Sequence, residues 1–255
     1  MKVIINADDF GVSDEVNQSV INMHRKGIVS STTIMANGPD FEKAVELLSA
    51  HPDLGVGVHL CLDGPYNSST DHTSLLDPVT NTFFERTEVI KKIHKSSFKK
   101  DEIYREFSLQ LERVLDHGLT ISHLDTHHHF HLYFPILTQV IRVARKYGIS
   151  FIRSQRIITS APLSSVNRAY RLAHHLYLNT CLRSVPAYYD PAIENNSDFA
   201  YKLNKLEGML NNSKGPVEIM LHPRGDNDPE TRFFSSPEVQ QVLSRHLILN
   251  YKQLN

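Results

Sequence analysis

The chain has no tryptophan, and its 255 residues include only two cysteines, Cys61 and Cys181. A secreted scaffold held together by disulfides carries more cysteines, so this pair favours the reduced cytoplasm. No apolar stretch approaches the roughly 20 residues that span a bilayer. The N-terminus also lacks a charged region followed by an apolar run and a cleavage site. We therefore expect a soluble, cytoplasmic protein with no membrane partner.

The chain also has no strong net charge, because it contains 27 Lys and Arg residues and 28 Asp and Glu residues. Nucleic acids and anionic membranes select basic surfaces, so neither is expected as the main partner. A hydrophobic content of 40% over this length is enough for one well-buried domain. No clear linker divides the chain, although residues 183–197 have a loop-like composition. We therefore expect residues 1–255 to form a single domain.

Apolar, β-branched segments alternate with amphipathic segments along the chain. The predicted strands are 3–6, 28–36, 54–60, 121–125, 151–153 and 217–221. The predicted helices are 14–26, 39–50, 85–95, 100–117, 134–147, 165–182, 198–210 and 237–246. The polar, turn-rich segment 63–84 is predicted to be a long loop. Alternation of this kind is typical of an α/β fold with parallel strands and outer helices, either a β/α barrel or an open doubly wound sheet.

Polar side chains stand where the predicted strands end. They are Asp8 and Asp9, His59, the segment 123–131, and His222. The barrel and the open sheet both place their active sites at the carboxyl ends of the strands. We therefore expect these side chains to meet at one mouth of the fold.

The adjacent acids Asp8 and Asp9 suit two different tasks. Neighbouring residues of an extended strand point to opposite sides, so one carboxylate can hold a metal ion while the other takes a proton. An Asx turn or a helix N-cap is the alternative for such a pair. His59 lies in an apolar segment in which Gly55 and Gly57 leave space on one face of the strand, and this favours a site. A lone histidine in an apolar segment is nevertheless more often a satisfied buried group.

The histidines of segment 123–131 indicate a metal site, because four of them stand within 127–131. Neutral imidazole is the commonest metal ligand, and carboxylates orient it. A solvated loop with adventitious metal affinity is the alternative.

His222 and Arg153 each have two possible roles. Histidine has an unperturbed pKa of about 6.5, so His222 could act as the general acid for a leaving amine. Alternatively, His222 stands at the end of the strand without a role. Arg153 either binds a substrate oxygen or forms a structural salt bridge.

Taken together, these segments resemble the YdjC-like family of carbohydrate deacetylases. The resemblance rests on residues 6–11 (Asn-Ala-Asp-Asp-Phe-Gly), 30–37, 57–60, 123–131 and 218–223, and it extends from the first strand to about residue 228. It implies a TIM-like β/α barrel, incomplete or distorted in form, related to the polysaccharide deacetylases. Members of the family remove N-acetyl groups from chito-oligosaccharides, so the resemblance implies an amino-sugar substrate such as diacetylchitobiose or its 6-phosphate.

The resemblance also implies a role for individual residues. Asp9, His59 and His127 would bind one divalent metal ion, Mg²⁺ or alternatively Zn²⁺. The metal would activate a water molecule and polarise the acetyl carbonyl. Asp8 would act as the base and His222 as the acid, which predicts a bell-shaped pH dependence of activity. Dimers occur in the family, which makes a homodimer an expectation for this chain.

One position departs from the family pattern, and two other functions stay open. Arg224 follows Pro223 where the family usually has glycine, so Arg224 is a candidate to bind near the leaving group or a substrate phosphate. A different metal hydrolase, acting on a phosphoester or another amide, would need a second metal, for which Asp125 is available. A non-catalytic sugar-binding module would use exposed aromatics. The candidates for that role are Tyr66, Tyr188 and Tyr189.

Overall fold

A curled parallel sheet forms the centre of the structure, a computed structural model that describes residues 1–158, 164–185, 187–191 and 198–254. Its strands are β1 (Lys2–Phe10), β2 (Ser31–Ile34), β3 (Gly55–Leu60), β4 (Ile121–Thr126), β5 (Phe151–Ile152), β6 (Ile157–Ile158), β7 (Ala187–Tyr189), β8 (Val217–Leu221) and β9 (Leu247–Ile248). Its α-helices are α1 (Asp14–Arg25), α2 (Phe41–Ser49), α3 (Arg86–His94), α4 (Lys100–Asp116), α5 (Phe134–Lys146), α6 (Ser165–Cys181), α7 (Phe199–Asn212), α8 (Pro229–Ser235) and α9 (Pro237–Leu243). Short 3₁₀ helices occupy His127–Leu132 and Tyr251–Leu254.

The strand order is that of a barrel. Neighbouring strands run β5-β4-β3-β2-β1-β8-β7-β6 in parallel, and β9 lies beside the start of β1. Residues 153–156 connect the two edge strands. The amide of Arg153 donates to the Leu124 carbonyl of β4, and the amide of Tyr188 in β7 donates to the Arg156 carbonyl. The sheet therefore curls into an incompletely paired barrel, which confirms the predicted β/α barrel over the open doubly wound sheet.

Local signals account for most of the helices. Ser13 caps α1 by accepting a hydrogen bond from the Val16 amide. Gly27 follows the helix with φ of 74°, a conformation that glycine adopts without strain. None of the described helices is long and apolar enough to cross a bilayer.

The short strands differ from the prediction. Ala187–Tyr189 is a strand within the segment expected to be a loop, whereas 192–197 lies outside the described residues. Strands β6 and β9 were also not predicted, and β2 is shorter than expected. A strand of two or three residues is too short to show period-two alternation, so its position depends on pairing with the neighbouring strands.

The predicted loop 63–84 is attached to helix α4 by two glutamates. The fully buried Glu106 accepts a hydrogen bond from the Ser69 amide at 3.0 Å, and Glu102 accepts one from the Ser74 amide at 2.8 Å. These contacts hold the loop in place without regular secondary structure. Asp63, the first residue of the loop, is thereby part of an ordered segment.

The barrel interior changes from apolar to polar along its axis. An apolar cluster fills the amino end: Ile4, Phe151, Val185, Leu249 and Tyr251. Buried polar side chains follow toward the carboxyl end: Asn6, Asp8, Thr33, His59, His123, Asp125, Arg153 and Glu218. Burying charged groups is costly unless they are paired, so this layer has to satisfy its own charges.

Candidate active site

A cavity of about 560 Å³ opens at the carboxyl ends of the strands. Six of the predicted site residues line it: Asp8, Asp9, His59, His127, His222 and Arg224. Arg153 is the exception, because its side chain is fully buried and lies outside the lining of the cavity. Strands β1, β3 and β8, with the turn after β4, thus bring together side chains that are up to 216 residues apart in the sequence (Asp8 to Arg224).

A register shift near the end of β1 brings both Asp8 and Asp9 to the cavity. The pairing between β1 and β2 shifts between Ala7 and Phe10, and Asp9 has φ of 64°, in the left-handed region. Few residues other than glycine adopt this conformation, although aspartate is among those that do. The expected placement on opposite sides is therefore wrong, because the bulge interrupts the alternation of side chains. The two carboxylates nevertheless contact different partners.

Asp9 faces the two predicted histidine ligands. Its Oδ1 lies 3.5 Å from His59 Nε2 and 4.0 Å from His127 Nε2. This oxygen is buried and has no hydrogen-bond partner among the described residues, which is costly unless a cation occupies the space in front of it. Two ligand atoms at about 2.1 Å from one ion are roughly 3.0 to 3.4 Å apart. Both distances from Asp9 are longer than this, so the histidine rings would have to move inward for the three residues to bind one ion.

Each of these histidines is oriented by a second carboxylate. His59 Nδ1 lies 2.7 Å from Asp125 Oδ1, and His127 Nδ1 lies 2.7 Å from Asp63 Oδ1. Carboxylates in this position fix the ring and leave Nε2 free to bind a metal. Asp63, which also contacts His128, was not predicted, because the path of the loop that carries it cannot be inferred from local sequence.

The surroundings of both rings are strongly negative. Burial by itself would lower the pKa of His127, but its contacts with Asp63 and Cys61 outweigh burial and raise the pKa to about 11. The pKa of His59 is likewise raised, because Asp125 and the two acids of β1 outweigh its burial. An environment that stabilises positive charge to this extent also favours a bound cation.

Among the described residues, the donor groups whose ligand atoms all lie within 4.8 Å of one another are Asp8 with His59 and Asp125, and Cys61 with Asp63 and His127; the set Asp9, His59 and His127 is not one of them. In the first group the guanidinium of Arg153 already contacts both carboxylates. In the second group Asp63 is hydrogen-bonded to His127 and His128. Asp9 differs from the acids of these two groups, because its Oδ1 has no hydrogen-bond partner among the residues that the structure describes. Asp125, the carboxylate considered for a second metal, is hydrogen-bonded to His59 and lies 2.7 Å from the Arg153 guanidinium.

Arg153 forms the structural salt bridge, and the predicted contact with substrate is wrong because its side chain has no exposed surface. Its guanidinium nitrogens lie 2.6 Å from Asp8, 2.7 Å from Asp125 and 2.7 Å from Glu218. Burial would raise the pKa of Asp8, but Arg153 outweighs it and holds the pKa well below its usual range. Glu218 receives less of this stabilisation, and burial raises its pKa.

His222 and Arg224 form the other side of the cavity. The His222 amide donates to Glu230 Oε2 at 2.6 Å, and His222 Nδ1 lies 4.0 Å from the same oxygen. Burial raises the pKa of Glu230 to about 7. Arg224 is exposed, and its guanidinium lies 3.9 Å from Asp9 Oδ2. Glu230, which stands eight residues after His222, was not identified from the sequence.

The tyrosines considered for sugar stacking lie away from the cavity surface. Tyr188 and Tyr189 are fully buried, and Tyr66 is partly buried with its ring 6.2 Å from that of His127. None of the three belongs to the cavity lining formed by the described residues. The aromatic side chains that do line the cavity are Phe233 and Phe234 of α8.

Comparisons with known proteins identify the family of the chain. The family model described as YdjC-like protein matches residues 2–246. A carbohydrate deacetylase of Vibrio campbellii is 31% identical over 260 residues, which cover 96% of this chain and 92% of that protein. A carbohydrate deacetylase of Halalkalibacterium halodurans is 38% identical over 149 residues, but the match spans 58% of this chain and 62% of that one, less than two thirds of its length.

A solved structure extends the similarity to the fold. It is a protein of Enterococcus faecalis proposed to cleave cellobiose phosphate, with a TM-score of 0.83 and 26% identity, covering 99% of this chain and 98% of that one. The lactam utilization protein of Thermus thermophilus has a TM-score of 0.55 at 16% identity, which supports the fold alone. The match of the family model over nearly the whole length, together with the full-length relative, assigns the family. The chain belongs to the YdjC-like protein family.

Proposed function

We propose that this protein is a metal-dependent hydrolase that removes an N-acetyl group from an amino sugar of the chito-oligosaccharide class, such as diacetylchitobiose. One observation carries the proposal: a single cavity joins Asp9, His59 and His127 to a buried acid, Asp8, and to His222. The names of the curated relatives, carbohydrate deacetylase, support the same reaction. The cavity volume is within the range of small-molecule sites.

The donors Asp9, His59 and His127 would hold the metal ion, which we propose to be Mg²⁺, with Zn²⁺ as the alternative. When bound, a divalent ion supplies Lewis-acid polarisation of the acetyl carbonyl and makes a water molecule more acidic. A carboxylate with two imidazoles suits several divalent ions, so ligand type favours no single one. We expect one ion per chain.

Asp8 takes a proton from the attacking water as the new C–O bond forms. Arg153 holds the carboxylate in place with nitrogens 2.6 and 2.7 Å from its two oxygens. Because the pKa of Asp8 is held well below its usual range, Asp8 is ionised throughout the neutral region. The acid limb of the bell-shaped profile is therefore expected at lower pH than an unperturbed carboxyl group would give.

His222 delivers a proton to the sugar nitrogen as the C–N bond breaks. The products are acetate and a free amino sugar, so one water molecule is consumed in each turnover. Glu230 holds the main chain of His222 through the 2.6 Å hydrogen bond and fixes the residue at the cavity wall. When the imidazole donates its proton, the nitrogen leaves as a neutral amine, which is a better leaving group than an amide anion.

Among the described residues of the lining, three carry a Lys or Arg side chain: Arg86, Lys202 and Arg224. They favour a phosphorylated substrate such as diacetylchitobiose 6-phosphate, since guanidinium and ammonium groups bind phosphate oxygens. We also propose a cytoplasmic location, in keeping with two unpaired cysteines. A homodimer stays a prediction of the family resemblance.

Acetate release from N,N′-diacetylchitobiose and from its 6-phosphate tests the proposal. The wild type, supplemented with Mg²⁺ or Zn²⁺, is compared with Asp8→Asn and with the distant surface variant Lys43→Met. Release by the wild type and by Lys43→Met, but not by Asp8→Asn, supports the proposal. Metal bound at one site per chain without release from either sugar would contradict it, and sugar binding without release would favour the binding module.

A further inference from the structure

A second cavity, of about 390 Å³, adjoins the first. Helices α7 and α8 and the residue after α8 form its wall, which consists of Phe199, Lys202, Pro229, Arg232, Phe233 and Ser236. Lys202, Pro229 and Phe233 line both cavities. A ligand that fills the first cavity and extends past these shared residues therefore enters the second.

The second cavity combines aromatic rings with cationic donors. The Phe199 and Phe233 rings lie 5.3 Å apart at 65°, and Phe199 is 40% exposed although it lies in the first turn of α7. Lys202 and Arg232 place an ammonium and a guanidinium group at the edge of this apolar surface. Apolar walls with a few polar donors are typical of small-molecule sites.

A pyranose ring matches this combination. Its C–H face is apolar and packs against an aromatic ring, whereas its hydroxyl oxygens accept hydrogen bonds from cationic donors. A flat apolar ligand without acceptors would leave Lys202 and Arg232 without a contact. A phosphate alone would leave the two phenyl rings uncovered.

We propose that this second cavity is the subsite for the sugar ring adjacent to the acetamido unit that reacts, with the Phe199 and Phe233 rings as the surface on which that sugar packs. This inference rests on the proposed deacetylase function, and it places the selection for chain length at Phe199. The metal site would hold the reacting unit while Phe199 and Phe233 hold its neighbour.

Kinetics with two substrates test the inference. N-acetylglucosamine and N,N′-diacetylchitobiose are compared in the wild type, Phe199→Ala and Tyr201→Ala. Tyr201 is the matched control, since it lies on the same helix, is 37% exposed and belongs to neither cavity lining. We expect Phe199→Ala to raise KM for the disaccharide by about tenfold, with kcat and the monosaccharide constants unchanged. Phe199→Leu, which keeps apolar volume without the aromatic face, should also raise this KM.

Calorimetric titration of the metal-supplemented wild type with diacetylchitobiose separates the inference from the proposed function. If the wild type releases acetate and Phe199→Ala has the same KM for the disaccharide, the proposed subsite is wrong and the proposed function is still supported. No acetate release, with disaccharide binding weakened by Phe199→Ala and not by Tyr201→Ala, would support the subsite and contradict the function. The absence of disaccharide binding, or an equal effect of Phe199→Ala on both sugars, would overturn the subsite.

Discussion

Replacement of Arg153 by methionine should destabilise the protein by several kcal/mol and make its stability strongly dependent on pH. Arg153 is the cation in contact with three carboxylates, those of Asp8, Asp125 and Glu218, and each of these is at most 1% exposed. Methionine fills a similar volume and removes the charge. The variant therefore leaves three buried acids without their shared partner.

The magnitude follows from the burial of these acids. Removing one partner of a buried ion pair costs about 3 to 5 kcal/mol. The variant can lower this cost by protonating an acid, which for a carboxyl group of pKa about 4 takes roughly 4 kcal/mol at pH 7 and about 1.4 kcal/mol at pH 5. We therefore expect a loss of about 3 to 5 kcal/mol in the free energy of unfolding at pH 7. The loss should shrink by roughly 2 kcal/mol or more at pH 5.

The stability of Arg153→Met and the stability of the wild type should change with pH in opposite directions. In the variant the pKa values of the buried acids rise above their unfolded values, so stability is lost as pH increases through the folded pKa. In the wild type Asp8 and Asp125 have lowered pKa values, so their contribution is present above pH 4 and lost below it. The two proteins should therefore differ most at neutral pH.

Urea unfolding followed by circular dichroism at pH 5 and pH 7 measures the effect. Arg245→Met is the control, since Arg245 pairs with Glu207 at 3.3 Å on the surface and is 59% exposed, and such a pair contributes less than about 1 kcal/mol. Arg153→Lys, which keeps the charge but not the fork of donors, should be intermediate. A loss below about 1 kcal/mol in Arg153→Met, or equal losses at the two pH values, would refute the argument.

Three further predictions concern single side chains. Gly57→Ala should cost about 1 to 3 kcal/mol in urea unfolding, because the new Cβ would lie 2.5 Å from Cε1 of the stacked and buried His123 ring; an unchanged midpoint would contradict the packing. Asp63→Asn should weaken metal affinity about 10- to 100-fold in a competition titration, through the loss of a negative partner for His127; unchanged affinity would exclude that role. Glu230→Gln should gain stability relative to wild type between pH 5 and pH 8, by about 2 to 3 kcal/mol, because the pKa raised from 4.5 to about 7 makes the wild type lose stability as pH rises; a constant difference would contradict it.

The barrel could be predicted from the sequence because its signals are local. Alternation of strands and helices is visible in segments of six or more residues, as in β3 and α4. Strands such as β5, β6 and β9 have two residues each, and no periodicity can be seen over that length. Their positions are set by pairing with neighbours far away in the chain, as when β9 joins the start of β1.

The candidate site also contains some residues that could be predicted from the sequence and others that could not. The placement of Asp8, His59 and His222 followed from the rule that the carboxyl ends of parallel strands meet at one edge. The carboxylates that orient the histidines did not follow from it, because Asp63 meets His127 through a loop whose path is fixed by tertiary contacts. For Arg153 the sequence left two roles open, and only burial distinguishes between them.

The bulge near the end of β1 explains how the adjacent acids Asp8 and Asp9 line one cavity and yet have different partners. In a regular strand only one of two neighbouring residues faces the barrel interior. The left-handed conformation of Asp9 turns its carboxylate to the same cavity as Asp8, where it meets the free nitrogens of the histidines. Asp8 stays within the polar layer and contacts Arg153 at 2.6 Å. Asp8 is thus neutralised by a fixed cation of the protein, while Asp9 has an oxygen without a hydrogen-bond partner among the described residues. This division matches the roles that we propose, with Asp8 as the base and Asp9 as a metal ligand.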